Sequence, residues 1–496
     1  MLSHVLGLTF AADAFRAALR IPNLLQNLLG EGVLSASFIP VYARLMAEGR
    51  HEDASRVART IGTLLALVAS AIALAGVLAA PVFVDLIVPG YSGEERELTI
   101  VLVRVIFPGV ALLVMSAWCL GVLNSHRKFF LSYVSPVLWS VAVIAGALVG
   151  ARRLAGDDFD IAVWIGWGAM IGSAAQFLVQ LPTVIGLLRS VKPSLSVRDP
   201  DVRTTLRTFV PVVIGRGSVQ VSGYIDQILA SFVGKGIIAA MSSAQVLYML
   251  PVSLFGMAVS AAELPEMSSA IGDTDARAPQ IHARLATGLR RIVFLVVPSA
   301  VAFVAIGGSI VALLFQTGRF NADDTRIVWI ILAGSALGLS AGTQGRLLGS
   351  AFYALGDPRP PLHAALVRVG LTGLAGWAFA LPIRRVFGYA PEWGAFGLSA
   401  SAGLAAWIEF LLLRRWLNAR IGKVAIPARL GLGALAVSLV AGACGFGAGQ
   451  LAGRWFVTPI AAIAAIAAFG GVYLGIMIAA KVPEAGPFAR RLRLVR

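Results

Sequence analysis

Asp13, Arg16, Arg20, Asn23, Asn27 and Glu31 recur at intervals of three and four residues within FAADAFRAALRIPNLLQNLLGE, residues 10–31. A period of 3.6 puts all six on one face of a helix, with Phe10, Phe15, Leu19, Leu25 and Leu29 on the other. The chemistry this stripe offers is anion binding. Arginine grips phosphate through paired, charge-assisted hydrogen bonds, and neighbouring amides add neutral donors and acceptors. Asp13 and Arg16, three residues apart, can form an ion pair. Pro22 removes a backbone hydrogen bond and predicts a kink near Arg20. Such a helix either lies on a membrane surface or lines a wet cavity. Its mixed signs, and the charged loop that follows, favour the cavity.

Further charges interrupt apolar sequence. Arg216 and Asp226 lie ten residues apart in GRGSVQVSGYIDQILASF, about 15 Å along a helix and about 80° around it, so they can border one cavity but not touch. Arg346 sits in SAGTQGRLLGSAFYALG, where a snorkelling side chain is the competing reading. Glu263 and Glu266 flank Pro265 and read as an interfacial helix end. Arg16, Arg20, Arg216 and Arg346 together form a candidate cationic site for a diphosphate. The five histidines are scattered, and no nucleophile, metal or phosphate-loop pattern occurs. The chain is therefore expected to be no enzyme and to carry no cofactor or metal.

The elements that position these residues follow from composition. The chain has 496 residues, 58% hydrophobic and 13% charged, with mean hydropathy +0.83. Soluble domains carry about 25% charged residues, so most of this chain must face lipid or another helix. The net charge of +16 lies in short stretches between apolar runs rather than on a soluble basic face, which excludes nucleic acid as partner. Cys119 and Cys444 each lie inside an apolar run and define no disulfide framework. Residues 1–20 lack the pattern of a cleavable signal peptide.

Twelve runs are long enough to cross a hydrocarbon layer: 59–88, 97–125, 129–151, 159–188, 205–234, 237–268, 285–315, 326–355, 361–383, 392–413, 425–450 and 455–481. The more polar segment 8–45 makes thirteen. Alternate connecting loops carry 25 and 9 Lys and Arg, and the positive-inside rule puts the richer set, with the C-terminus, in the cytoplasm. An odd count then places Met1 outside, and the expectation is that one helix is missing from the N-terminal end. The fold class is an all-α polytopic membrane protein. The expected organisation is an N-terminal lobe (1–190), a cytoplasmic inter-lobe loop (191–204), a C-terminal lobe (205–424), two extra helices (425–482) and a basic cytoplasmic tail (483–496). Two-lobed transporters work by rocking one lobe against the other.

DAFRAALRIPNLLQNLLGEGVLSASFIPVYARL (13–45) resembles the second helix of the MurJ (MviN) lipid II flippases, within the multidrug/oligosaccharidyl-lipid/polysaccharide exporter superfamily. VPGY (88–91), FPGVALLVMSAWCLGVLNSHRKFFLSYVSPVL (107–138), QFLVQLP (176–182), QVLYMLPVSLFGMAVSAAELPEMS (245–268), LLFQTGRFNADDT (313–325) and AFYALGDPRPPL (351–362) follow in family order. The resemblance covers nearly the whole chain.

It implies fourteen helices with a cavity between two pseudo-symmetric lobes, and alternating access that carries lipid II (undecaprenyl-diphosphate-linked muropeptide) to the outer leaflet of the bacterial inner membrane for peptidoglycan synthesis. It also implies a monomer surrounded by membrane lipids. By position, Asp13, Arg20, Glu31, Asp226 and Arg346 match family polar positions, and 425–450 with 455–481 match helices that form a groove for the polyprenyl tail. The chain departs from the pattern in lacking the family's first helix, in carrying Gln26 and Val246 at usually basic positions, and in placing Arg16 and Arg216 where the family is usually uncharged. Export of another lipid-linked oligosaccharide or a drug, or a non-transporting paralogue, are the alternative functions.

Overall fold

The structure, a computed structural model, describes residues 2–153, 157–188, 192–268, 274–383, 386 and 388–491, with side chains except at 21, 31, 153, 210, 214–222, 268, 274–277, 381, 383 and 491. The described elements are helices. In chain order they begin with α1 Leu2–Leu6, α2 Phe10–Leu29, α3 Glu31–Ala47, α4 His51–Leu78, α5 Ala80–Ile87, α6 Gly93–Ser125, α7 Phe129–Arg153, α8 Asp158–Leu188 and α9 Pro200–Ser231. There follow α10 Ile237–Pro251, a π-helical stretch at Val252–Met257, α11 Ala258–Ser268, α12 Thr274–Ala305, α13 Gly307–Phe315, α14 Ala322–Ala354 and α15 Arg359–Ala378. The last are α16 Pro391–Ile421, α17 Ala428–Gly453, α18 Thr458–Ala479 and α19 Gly486–Arg491.

Local chemistry sets the boundaries. Gly30, extended at φ −91° and ψ −152°, separates α2 from α3, and a Cβ there would lie 2.1 Å from the Gln26 carbonyl oxygen, so any other residue collides. The segment 8–45 is thus two helices, not one. Runs 59–88 and 285–315 are each two as well, broken at Ala79 and Ile306. The Asp199 side chain caps α9, with Pro200 in the first turn. Asn321 and Asp324 form a reciprocal capping box on α14.

Eleven helical spans among the described residues are long and apolar enough to cross a membrane, α2 with α3 and α10 with α11 each counting as one; the count of thirteen is not confirmed. Segments 205–234 and 361–383 form helices, α9 and α15, but neither is among the eleven. Arg203, Arg207 and Asp226 sit in α9, and Arg359 and Arg368 in α15, which lowers their apolar content. Large side chains such as Leu74 (61% exposed) and Leu439 (59%) lie bare on helix surfaces, as lipid permits and water does not.

The chain divides into two compact units, Met1–Ile238 and Ala239–Arg496, so the loop at 191–204 and helix α9 both fall within the first. In that unit α6 packs against α2, α3, α4 and α8, and α7 against α8. Small residues set the approach of α7 to α8: a Cβ on Gly168 would meet the Ala142 carbonyl at 2.7 Å, and one on Gly146 the Trp164 carbonyl at 2.6 Å. With no water to expel from lipid, close backbone packing of this kind holds membrane helices together. The second unit repeats the order of the first, long helix, short helix, 33-residue helix, then two more: α4 to α8 correspond to α12 to α16. Here α14 packs on α16, and α17 and α18 pack on each other. Gly338 of α14 abuts Gly403 of α16 so closely that a Cβ on it would stand 2.3 Å from the Gly403 Cα.

Candidate functional site

The stripe on α2 turns toward different partners along its length. Asp13 is fully buried, and its Oδ2 accepts the backbone N–H of Gly236 at 2.5 Å. Gly236 is required on two counts: φ is +80°, and a Cβ would lie 2.4 Å from the Leu8 carbonyl. Beside it, the Lys235 ammonium sits 5.9 Å from the Phe10 ring centroid. The α9–α10 turn is thereby pinned to the start of α2 by a carboxylate that the sequence assigns to a substrate cavity. Arg16, one turn on, is half-buried and within electrostatic reach of Asp13.

Arg20 faces α9. Its guanidinium lies 5.5 Å from the Tyr224 ring centroid, and its terminal nitrogen comes within 2.1 Å of where a Gly223 Cβ would be. The Tyr224 hydroxyl donates to the Arg20 backbone carbonyl at 3.1 Å. Asp226, also on α9, is partly exposed, whereas the side chains of Glu31 and Arg216 lie outside those described. Asn23 and Asn27 are exposed, and so is Arg346, which belongs to α14 in the second unit.

Past Arg20 the stripe enters a cavity of about 280 Å³ inside the first unit, among α2, α6, α7 and α8. Asn23 and Gln26 of α2, Ser116 of α6, Trp139 and Ser140 of α7, and Gln176 of α8 line it. No charged side chain is among its described lining residues. Behind it, Gln176 Nε2 and Gln180 Nε2 donate to Ser116 Oγ at 3.1 and 2.9 Å, and Gln180 Nε2 also donates to Ser135 Oγ. In the sequence alone Gln26 stands out only as a lost basic position, and the glutamines of α8 carry no charge to mark them. Their signal is the spacing Ser173, Gln176, Gln180, a polar ladder on one face of an otherwise apolar helix.

The second unit holds an ion pair that sequence reading also missed. Arg368 of α15 meets Glu409 of α16 at 3.0 Å, with side chains 35% and 17% exposed. Each is a charge inside an apolar run, which was the available signal. At one end of this unit Arg420 pairs with Asp357 at 2.5 Å, and Asp357 Oδ1 accepts the Arg359 N–H at 3.0 Å. Those two contacts hold its carboxyl below the ordinary carboxylate range, the backbone bond being the larger cause. Glu263 and Glu266 both pair with Arg284 of α12, as suits a helix end. On α17, Leu435, Leu439 and Phe446 present an exposed apolar surface.

A family model described as "Lipid II flippase MurJ" matches residues 2–465. The lipid II flippase MurJ of Burkholderia cenocepacia is 30% identical over 419 residues, covering 83% of this chain and 78% of the relative. A solved structure, "Lipid II flippase MurJ, inward closed conformation", superposes with TM-score 0.75 at 21% identity over 99% of this chain and 95% of that one. An inward-facing multidrug resistance MATE transporter of the MOP superfamily gives 0.67 at 19%, over 86% and 94%. At these identities the two structures speak for the fold.

Proposed function

Since the chain belongs to the MurJ lipid II flippase family, we propose that it carries lipid II from the inner to the outer leaflet of a bacterial inner membrane by alternating access, as a monomer with a cytoplasmic C-terminus. The diphosphate engages Arg16 and Arg20, and the polyprenyl tail stays in lipid along α17 and α18. Asn23 and Asn27 continue the contact surface. Asp13 positions the start of α2 from behind.

The observation that carries this reading is Arg20. An arginine in the hydrocarbon layer costs about 2.5–3.5 kcal/mol on insertion scales, and it is retained here on a helix whose next turn, at Asn23, lines a cavity. Tyr224 stabilises it through its ring face, which leaves the N–H groups for phosphate. A charge-carrying cycle can draw about 2.3 kcal/mol per charge per 100 mV from the membrane potential, so no nucleotide is needed.

Arg20→Ala tests the assignment. The Tyr224 hydroxyl bonds to the backbone of residue 20, so the α2–α9 tie survives truncation. The variant should reach normal membrane levels yet fail to rescue a flippase-depleted strain. Full rescue would remove Arg20 from the mechanism. Preference of the purified protein for a different polyprenyl-linked glycan over lipid II would replace the substrate.

A further inference from the structure

We propose that the cavity among α2, α6, α7 and α8 is the subsite for the sugar ring bonded to the diphosphate, a neutral hexosamine pocket built into the first unit. The inference rests on the flippase reading and adds to it the part of the headgroup that this cavity recognises.

The lining selects by charge first. With no ionised group among its described lining residues, the cavity offers nothing to compensate a phosphate, a peptide carboxylate or an ammonium, and burying any of these unpaired is prohibitive. The lining is mixed, with Leu19, Ile106, Val110 and Leu113 beside Asn23, Gln26, Ser116 and Gln176. A hydrocarbon chain would match the first set and strip water from the second without replacing its hydrogen bonds, whereas a sugar ring carries both apolar C–H faces and polar edges. Hydroxyl and amide groups match a ring whose own hydroxyl and acetamido groups both donate and accept.

The hydrogen-bond inventory is open in the right way. Ser116 Oγ accepts from both Gln176 and Gln180, so its own O–H is left to donate. The Gln176 nitrogen gives one N–H to Ser116, which leaves its second N–H as a donor and its amide oxygen as an acceptor. Trp139, the one aromatic residue in the described lining, supplies an apolar surface of the kind that packs on the C–H face of a sugar. A cavity of about 280 Å³ has room for a sugar ring.

Register along α2 gives the last support. Arg16 and Arg20 precede Asn23 and Gln26 on the helix, and three residues rise about 4.5 Å. A diphosphate at Arg20 therefore places its covalently attached sugar beside Asn23.

The test uses the full chain in lipid nanodiscs with two probes, lipid II and undecaprenyl diphosphate, which share tail and diphosphate and differ in the sugars and peptide. Gln176→Leu should weaken lipid II binding about tenfold and leave undecaprenyl diphosphate unchanged. Equal loss of both, or of neither, overturns the pocket while leaving the flippase reading intact. Binding of neither probe by the unaltered protein overturns that reading, and the pocket with it. A second measurement covers the case in which Gln176→Leu fails to fold: Ser140→Cys, in a Cys444→Ser background, labelled with a maleimide. Lipid II should slow labelling and undecaprenyl diphosphate should not; labelling that lipid II leaves unchanged counts against the pocket.

Discussion

Replacing Asp13 separates a structural carboxylate from a chemical one. The side chain is fully buried and accepts the Gly236 N–H at 2.5 Å. Asp13→Ala leaves that buried N–H without an acceptor, at a cost of about 1–3 kcal/mol. Asp13→Asn keeps an acceptor oxygen but loses the charge assistance, roughly half the strength of the bond or about 1 kcal/mol, together with the attraction to Arg16. For a unit the size of Met1–Ile238, 1 kcal/mol moves a thermal midpoint by about 2–4 °C. Thermal unfolding in detergent, followed by size-exclusion chromatography, should therefore rank wild type above Asn and Asn above Ala. Lipid II translocation in proteoliposomes should persist in Asn. Loss of translocation by a normally stable Asn variant would mean that the carboxylate acts through its charge, and the structural account of Asp13 would be refuted.

Other outcomes follow from the same geometry. Gly338→Ala drives a Cβ into the Gly403 backbone and should destabilise by about 1–3 kcal/mol, whereas Gly370→Ala, with nothing within 4 Å, should stabilise by about 0.5–1 kcal/mol; thermal midpoints of both variants check the opposed signs. Arg368→Gln should cost more stability than the double variant Arg368→Gln/Glu409→Gln, because the single change strands a mostly buried carboxylate; a double-mutant cycle reads the difference. The Asp357 carboxyl is held below its ordinary value by the Arg359 N–H and by Arg420, so its folded value lies under its unfolded one. Its stabilisation is complete above the ordinary carboxylate range near pH 4 and is lost as pH falls through the lowered folded value; the midpoint gap between wild type and Asp357→Asn should shrink in that window.

Which of the polar intramembrane residues share a surface was legible in part. The 3–4 spacing of α2 placed Arg16, Arg20, Asn23 and Asn27 on one face, and all are at least partly exposed. The same spacing could not say that Asp13 turns to a backbone N–H of residue 236, because that partner comes from a distant turn. Gln26 read as a missing charge until α6, α7 and α8 closed a neutral cavity around it. The AFYALGD motif was visible as a string. The work of its aspartate, accepting from the Arg359 N–H and pairing with Arg420, required α16 to return beside it.

That this is a helical membrane protein is already written in the order of its residues, since hydrocarbon accepts a long apolar run only as a helix that satisfies its own backbone. The family is written there too, in motifs kept in order along the chain. Where helices break, how near their backbones approach, and which buried polar atoms answer one another emerge only in the packed fold. Helix formation is local and is written in each run of residues. Hydrogen bonds between helices and glycine-to-glycine contacts join residues far apart in the chain, and their geometry exists only once the helices have packed.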